Sequence, residues 1–212
     1  DITCNPLVNL WMVKVREEQR MPTPEEIDET RALVGYEHLI IDEDLNRARF
    51  DKEGMSITLG GIAPGYAVDC ACEKLIEAGI EHALVDIGGD MRAIGDKNGV
   101  PWEVALQNPR NKEEYITIIK LDNESVTTSG DYEQYFFLKE RIHHIMNPKT
   151  GYSADECMST TVIAQQCIDA DALATAVFVL GPEEGKALLD GLGLKGLIIS
   201  ADRQIIKSNA FQ

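Results

Sequence analysis

The chain has 212 residues, 44% hydrophobic and 26% charged, and its 36 acidic against 20 basic residues leave a formal net charge of −16. That length supports one large domain or two small ones around a buried core, with a composition ordinary for a globular protein. The acidity excludes an extended nucleic-acid or anionic-membrane surface, because both need clustered Lys and Arg. No apolar run approaches the roughly 20 residues that span a bilayer.

No signal-peptide pattern follows Asp1, which opens a polar stretch. A short helix is expected over Leu7–Arg16, after Asn5-Pro6. Thr23, Pro24 and Glu26 stand at the N-cap, first and third positions of a helix predicted to run to Val34. Residues 38–59 alternate short β-like runs with turn signals, as in a meander. Ile62–Ala78 reads as a helix closed by Gly79. Ala83–Ile87 and Met91–Ile94 read as strands broken by Gly88-Gly89-Asp90. Further strands are expected at 102–107, 115–120, 141–146 and 158–164. Helices are expected over Ile168–Leu180 and Pro182–Leu192, then short strands at 196–200 and 204–208. Hairpins outnumber βαβ crossovers, so the fold class is α+β with largely antiparallel sheet. No internal repeat, low-complexity segment or linker marks a domain boundary.

The five cysteines, Cys4, Cys70, Cys72, Cys157 and Cys167, are an odd number in a chain too large to need staples. They read as small buried apolar residues, and free thiols suit a reducing setting.

Asp171-Ala172-Leu173-Ala174-Thr175-Ala176 places a carboxylate and a hydroxyl four apart in an alanine-rich helix. Positions i and i+4 share a helix face, so Asp171 and Thr175 point to one place. Hard oxygen ligands of this kind suit Mg²⁺, which keeps waters or phosphates as its other ligands. The alternative is that Asp171 caps its own helix and Thr175 bonds back to a carbonyl. Leu59-Gly60-Gly61-Ile62-Ala63-Pro64-Gly65-Tyr66 opens a helix, where glycines admit a ligand and the N-terminus attracts phosphate; a plain turn is the alternative. Asp86-Ile87-Gly88-Gly89-Asp90 is either a ligand turn bearing a carboxylate or a hairpin turn. Thr127-Thr128-Ser129-Gly130-Asp131-Tyr132 is a hydroxyl-rich strand end, able to bind phosphate or ribose or to form an Asx turn. His143-His144 precedes Asn147-Pro148-Lys149-Thr150-Gly151. Strand neighbours face opposite sides, so only one imidazole can serve a given site, as a general base; a solvent-facing edge histidine is the alternative.

Taken in order, these segments resemble the ApbE family of flavin transferases. Asp1-Ile2-Thr3-Cys4-Asn5-Pro6-Leu7 is similar to the stretch after the family's Gly-Ala-Phe residues. Leu59-Gly60-Gly61-Ile62-Ala63-x-Gly65-Tyr66-Ala67-x-Asp69 resembles its glycine-rich motif. Gly88-Gly89-Asp90, Thr128-Ser129-Gly130-Asp131, His144-Ile145-x-x-Pro148-x-Thr150-Gly151 and Asp171-Ala172-Leu173-Ala174-Thr175-Ala176 follow in the family's order.

The resemblance implies one α+β domain over 1–212 that lacks the family's N-terminal part. It implies cleavage of FAD with Mg²⁺, placing FMN on a Thr or Ser hydroxyl of a target protein, such as a redox-complex subunit, and releasing AMP. Asp171, Thr175 and the carbonyl of Ala63 would hold Mg²⁺. His144 would act as base, with Asp171 as the second catalytic residue. Gly60, Gly61, Gly88, Gly89, Asp90, Ser129, Gly130 and Thr150 would bind FAD. Many members are exported lipoproteins, so the full-length form is expected outside the cytoplasm on a membrane, or in the cytoplasm if no export signal precedes Asp1. Exposed sheet edges favour a homo-oligomer. Two departures stand out: Thr58 replaces a usual Asp, and Pro64 replaces a usual Lys. They leave an FAD pyrophosphatase and a non-catalytic FAD-binding protein as alternatives.

Overall fold

The computed structural model describes residues 1–138 and 141–211. In chain order the described residues form α1 (Asn5–Arg16), α2 (Pro24–Arg31), β1 (Leu39–Asp42) and β2 (Arg47–Phe50). Next come α3 (Ala63–Glu77), β3 (Ala83–Ile87), β4 (Asp90–Ile94), β5 (Trp102–Asn108), β6 (Asn111–Leu121) and β7 (Ser125–Gly130). The rest is β8 (Tyr135–Phe137), β9 (Arg141–His143), β10 (Cys157–Ala164), α4 (Cys167–Leu192), β11 (Lys195–Ser200) and β12 (Ile205–Lys207). The chain divides into two compact units, residues 1–59 with 133–154, and residues 60–132 with 155–212. Each unit joins separate stretches, so no linker signature marks the division.

In the first unit, Leu7, Trp11 and Val15 recur every four residues and bury one face of α1. They pack with Ile27, Ile142 and Met146. The Trp11 indole N–H donates to the Gly151 carbonyl at 2.8 Å, giving this buried polar atom its partner. The Thr23 hydroxyl accepts from the Glu26 amide while the Glu26 carboxylate accepts from the Thr23 amide, the expected capping box. α2 ends at Arg31, short of Val34, because Leu33 and Val34 donate three residues back to Thr30 and Arg31 in tighter turns. β1 and β2 form a hairpin, whereas 51–59 stays outside any strand. The strand expected over 141–146 is only Arg141–His143, paired with β8, which the sequence did not announce.

The second unit is built on a sheet ordered β12-β11-β10-β7-β4-β3 among the described residues, with every neighbouring pair antiparallel. One face carries α3 and α4. A buried cluster of Ala93, Leu106, Ile119, Leu121, Val126, Ile163, Leu197 and Ile199 lies in the β5–β6 hairpin and the sheet. The hydroxyl-rich stretch at 127–132 is a strand end, as expected: residues 127–130 close β7, a central strand between β10 and β4, so they form no Asx turn. Threonine's branched Cβ suits a pleated strand; the Thr128 hydroxyl meets that of Thr161 at 2.9 Å, whereas the buried Thr127 hydroxyl has no hydrogen-bond partner among the described residues. α4 breaks at Gly181 (φ 83°, ψ 176°), just before Pro182, matching the two helices expected there. Cys4, Cys72, Cys157 and Cys167 are buried and all five thiols are free among the described residues. No described helix is long and apolar enough to cross a membrane.

α3 meets α4 at Gly65. A Cβ added there would lie 2.5 Å from the Cys167 carbonyl oxygen and 2.8 Å from the Asp171 Cβ. Helix propensity alone favours Ala over Gly by ~1 kcal/mol, but here overpacking opposes it by about 1–3 kcal/mol. Gly65→Ala is therefore expected to lower the denaturant midpoint. Gly191→Ala, in an α4 position where an added Cβ meets nothing within 4 Å, is expected to raise it slightly. Equal midpoint changes of one sign in the two variants would refute the packing argument.

Candidate functional site

Neither α3 nor α4 has a side-chain cap from its own N-cap residue, Ile62 or Gln166. Each helix instead takes a carboxylate from the other. Asp69, in the second turn of α3, accepts from the Cys167 amide (3.0 Å) and the Ile168 amide (2.9 Å), the first two of α4. Asp171, in the second turn of α4, accepts through Oδ2 from the Gly65 amide of α3 at 2.9 Å. Both carboxylates are 5% exposed. They satisfy N–H groups that would otherwise be orphaned, and place negative charge at the positive ends of the helix dipoles. Arg92 of β4 pairs with Asp69 at 2.5 Å.

Asp171 and Thr175 lie one turn apart on α4, as the spacing predicts. The alternative expectation fails in its detail: Asp171 caps α3 rather than its own helix. The Thr175 hydroxyl meets the Ser129 hydroxyl of β7 at 3.0 Å. Gly61 lies against Thr175, where an added Cβ would come within 2.9 Å of Oγ1. Ala63 is the first residue of α3, two before Gly65. Gly88 and Gly89, both at positive φ, form the β3–β4 turn, with the Gly89 amide donating to Asp86 at 2.9 Å. This turn delivers Asp90 at the start of β4, on the face shared with Arg92. Gly130 closes β7, and a Cβ there would run into the Tyr132 ring. Gly60 is exposed just ahead of α3. The second unit thus brings Gly61, Ala63, Ser129, Asp171 and Thr175 to one crossing.

Burial, then the Asp171 charge, then the Asp86 charge push the Asp90 carboxyl up to about 7. Burial also raises Asp171, opposed by the Gly65 amide. A carboxyl raised by burial and by a neighbouring carboxylate marks a site short of positive charge. No group of three or more His, Cys, Asp or Glu gathers among the described residues. The donors at the crossing are oxygens only: carboxylate, hydroxyl and backbone carbonyl. That set suits a hard divalent cation that keeps waters or phosphate oxygens, and does not suit zinc.

His143, His144 and Thr150 belong to the first unit. Nε2 of buried His143 donates to the Ala154 carbonyl at 2.8 Å and its Nδ1 accepts from the Ile145 amide at 3.3 Å, so both ring nitrogens hold the fold. His144 is half-buried. Its Nδ1 donates to the Gln134 carbonyl at 3.3 Å, which leaves Nε2 as the proton acceptor. Burial lowers its pKa, so the ring is neutral near pH 7. Thr150 is exposed, its hydroxyl accepting from the Tyr152 amide at 3.3 Å.

Sequence reasoning assigned no role to Asp69, Arg92 or Arg110. Asp69 stood inside the glycine-rich motif, the one available signal. Arg110, in the β5–β6 turn, holds both oxygens of Asp131 at 2.7 Å and so pins the residue after Gly130. Its 21-residue separation from Asp131 left no local pattern to read.

The ApbE family profile matches residues 1–198. The FAD:protein FMN transferase of Escherichia coli K12 is 32% identical over 215 aligned positions, covering 98% of this chain and 61% of the relative. That of Vibrio cholerae is 36% identical, covering 94% of this chain and 60% of the relative. The chain therefore spans about three fifths of these curated relatives. Among solved structures, the ApbE protein of Thermotoga maritima superposes with a TM-score of 0.90 at 39% identity, covering 99% of this chain and 69% of that one. The flavin transferase ApbE of Vibrio cholerae does so at 0.86 and 34%, covering 100% and 69%. Agreement in motif order, antiparallel fold and near-complete coverage has one meaning: the chain belongs to the ApbE family.

Proposed function

We propose that this protein transfers the FMN part of FAD to a Thr or Ser hydroxyl of a target protein, with Mg²⁺, releasing AMP. The α3–α4 crossing carries this reading, because it gathers Asp171, Thr175 and Ser129 oxygens in a place short of positive charge. The relatives named FAD:protein FMN transferase support it.

Asp171 Oδ1, Thr175 Oγ1 and the Ala63 carbonyl are the groups that would hold Mg²⁺. When bound, the cation supplies charge neutralisation for the FAD pyrophosphate, the main demand of phosphoryl transfer. Gly60, Gly61, Gly88, Gly89, Asp90, Ser129, Gly130 and Thr150 are assigned to the flavin and phosphate pocket on the family resemblance. In the reaction the acceptor oxygen bonds to the FMN phosphorus, and the bond from that phosphorus to the AMP-side oxygen breaks. On the family resemblance His144 Nε2 is assigned to take the acceptor's proton, a task its neutral ring and fixed Nδ1 allow. The family resemblance alone supports a redox-complex subunit as acceptor and an exported, lipid-anchored full-length form.

Pro64 supports a second reading, FAD cleavage or binding without transfer. It adds neither a cation nor an N–H at the second position of α3, and the Gly65 amide is already taken by Asp171. Incubation with FAD and Mg²⁺, with and without a Thr-containing peptide, separates these readings. Transfer predicts AMP and flavin-bearing peptide in equal amounts. AMP independent of peptide identifies a pyrophosphatase, and bound FAD without AMP a non-catalytic binder. Asp171→Asn is expected to lower AMP release more than about 100-fold; unchanged release would remove Asp171 from the site.

Asp90 adds a pH dependence. Its folded pKa of about 7 exceeds the ordinary 3.8. Without a cation, its stabilising contribution is complete below pH 3.8 and is lost as pH rises through about 7. A cation favours the charged form, so Mg²⁺ affinity should rise across the same upper range. Thermal unfolding in Mg²⁺ and in EDTA, from about pH 5 to about pH 8.5, reads both effects. Asp90→Asn should flatten both, and a pH profile identical to wild type would count against the assignment.

A further inference from the structure

The α3–α4 crossing contains one buried carboxylate to which the proposed reaction gives no part. Asp69 is 5% exposed and accepts from two α4 amides and from Arg92. The plain account is a satisfied buried ion pair that holds two helices together. Two features go further. The amides it fixes belong to Cys167 and Ile168, so Asp69 sets the position of the turn from which Asp171 projects. The contact is also returned, because Asp171 Oδ2 is held by Gly65, one turn before Asp69 on α3.

These bonds close a ring: Asp69 to the first turn of α4, along α4 to Asp171, across to Gly65, and along α3 back to Asp69. In that ring Asp171 cannot turn its carboxylate without giving up the Gly65 bond. Oδ2 is occupied, and no hydrogen bond to Oδ1 is present among the described residues. Gly65 has no Cβ to push the helices apart, and a Cβ there would strike both the α4 backbone and Asp171.

We propose that Asp69 is a positioning residue for the cation site: through α4 it holds Asp171 so that a single oxygen is offered to the metal. One carboxylate oxygen matches the way Mg²⁺ is bound, with waters and phosphates filling its octahedron, whereas Ca²⁺ commonly draws both oxygens of a carboxylate. Outer residues that orient a ligand tune metal binding in this way. The inference rests on the reading that Asp171 ligates Mg²⁺.

Asp69→Asn keeps the shape and one acceptor oxygen but cannot serve both α4 amides and Arg92. Calorimetry is expected to show an Mg²⁺ dissociation constant raised about 10- to 100-fold, with Ca²⁺ affected less, so the preference between the two narrows. Exchange of the Gly65 amide in the metal-free protein should quicken relative to other α3 amides. A variant with a lower melting temperature but unchanged Mg²⁺ affinity, Mg²⁺/Ca²⁺ preference and Gly65 exchange would show a purely structural role and overturn the proposal. Asp171→Asn is the control: if it binds Mg²⁺ like wild type, the ligand assignment itself fails and the proposal falls with it. Should Asp69→Asn not fold, the wild-type chain supplies the test. Mg²⁺ should slow exchange of the Gly65, Cys167 and Ile168 amides together, and slowing confined to Gly65 would overturn the coupling.

Discussion

Two helix N-termini that lack caps of their own, each closed by a carboxylate from the other, are the constraint on which the candidate site depends. Burying Asp69 and Asp171 carries a desolvation cost that is tolerable only because amides and Arg92 meet their oxygens. Gly65 makes the arrangement possible by letting the α3 backbone approach α4 without a side chain between them. Once the crossing is set, Thr175 faces Ser129 and Gly61, and Ala63 stands two residues before Gly65, whose amide Asp171 holds.

Under the proposed transfer, the same crossing would be what lets an acidic protein handle an anionic substrate. Its net charge of −16 is unfavourable for phosphate, and Pro64 supplies no cation. The Gly65 amide, a natural phosphate donor, is already committed to Asp171. In the proposed reaction the burden of charge compensation would fall on a cation, and the raised Asp90 and Asp171 carboxyls fit a place that is under-compensated without one. The two adjacent histidines differ in how the backbone holds them. Both nitrogens of His143 are used by backbone, whereas His144 keeps Nε2 available.

Local chemistry was legible wherever a residue acts within about a helical turn of itself. Thr23 with Glu26, Gly79 after α3, Gly181 with Pro182, and Asp171 with Thr175 are all patterns of three or four positions, and each stands in the structure as read. The hydroxyl-rich end of β7 reads as a strand end in the sequence, with an Asx turn as the alternative, and only its two flanking strands make a central strand of it. β8 is three residues long and exists only through its pairing with β9. Short strands carry too little periodicity to be seen alone.

By itself the sequence determined the helix punctuation, the α+β class, the motif order that places the chain in the ApbE family, and the i,i+4 pairing of Asp171 with Thr175. These are consequences of residue types at short spacings. Tertiary structure alone decided that Asp171 caps α3 instead of its own helix, that Asp69 returns the contact to Cys167 and Ile168, and that Arg110 restrains Asp131. The Asp69 and Asp171 bonds span about a hundred residues. A carboxylate in sequence shows only that it needs donors; which donors it meets depends on which backbones can approach, and packing settles that.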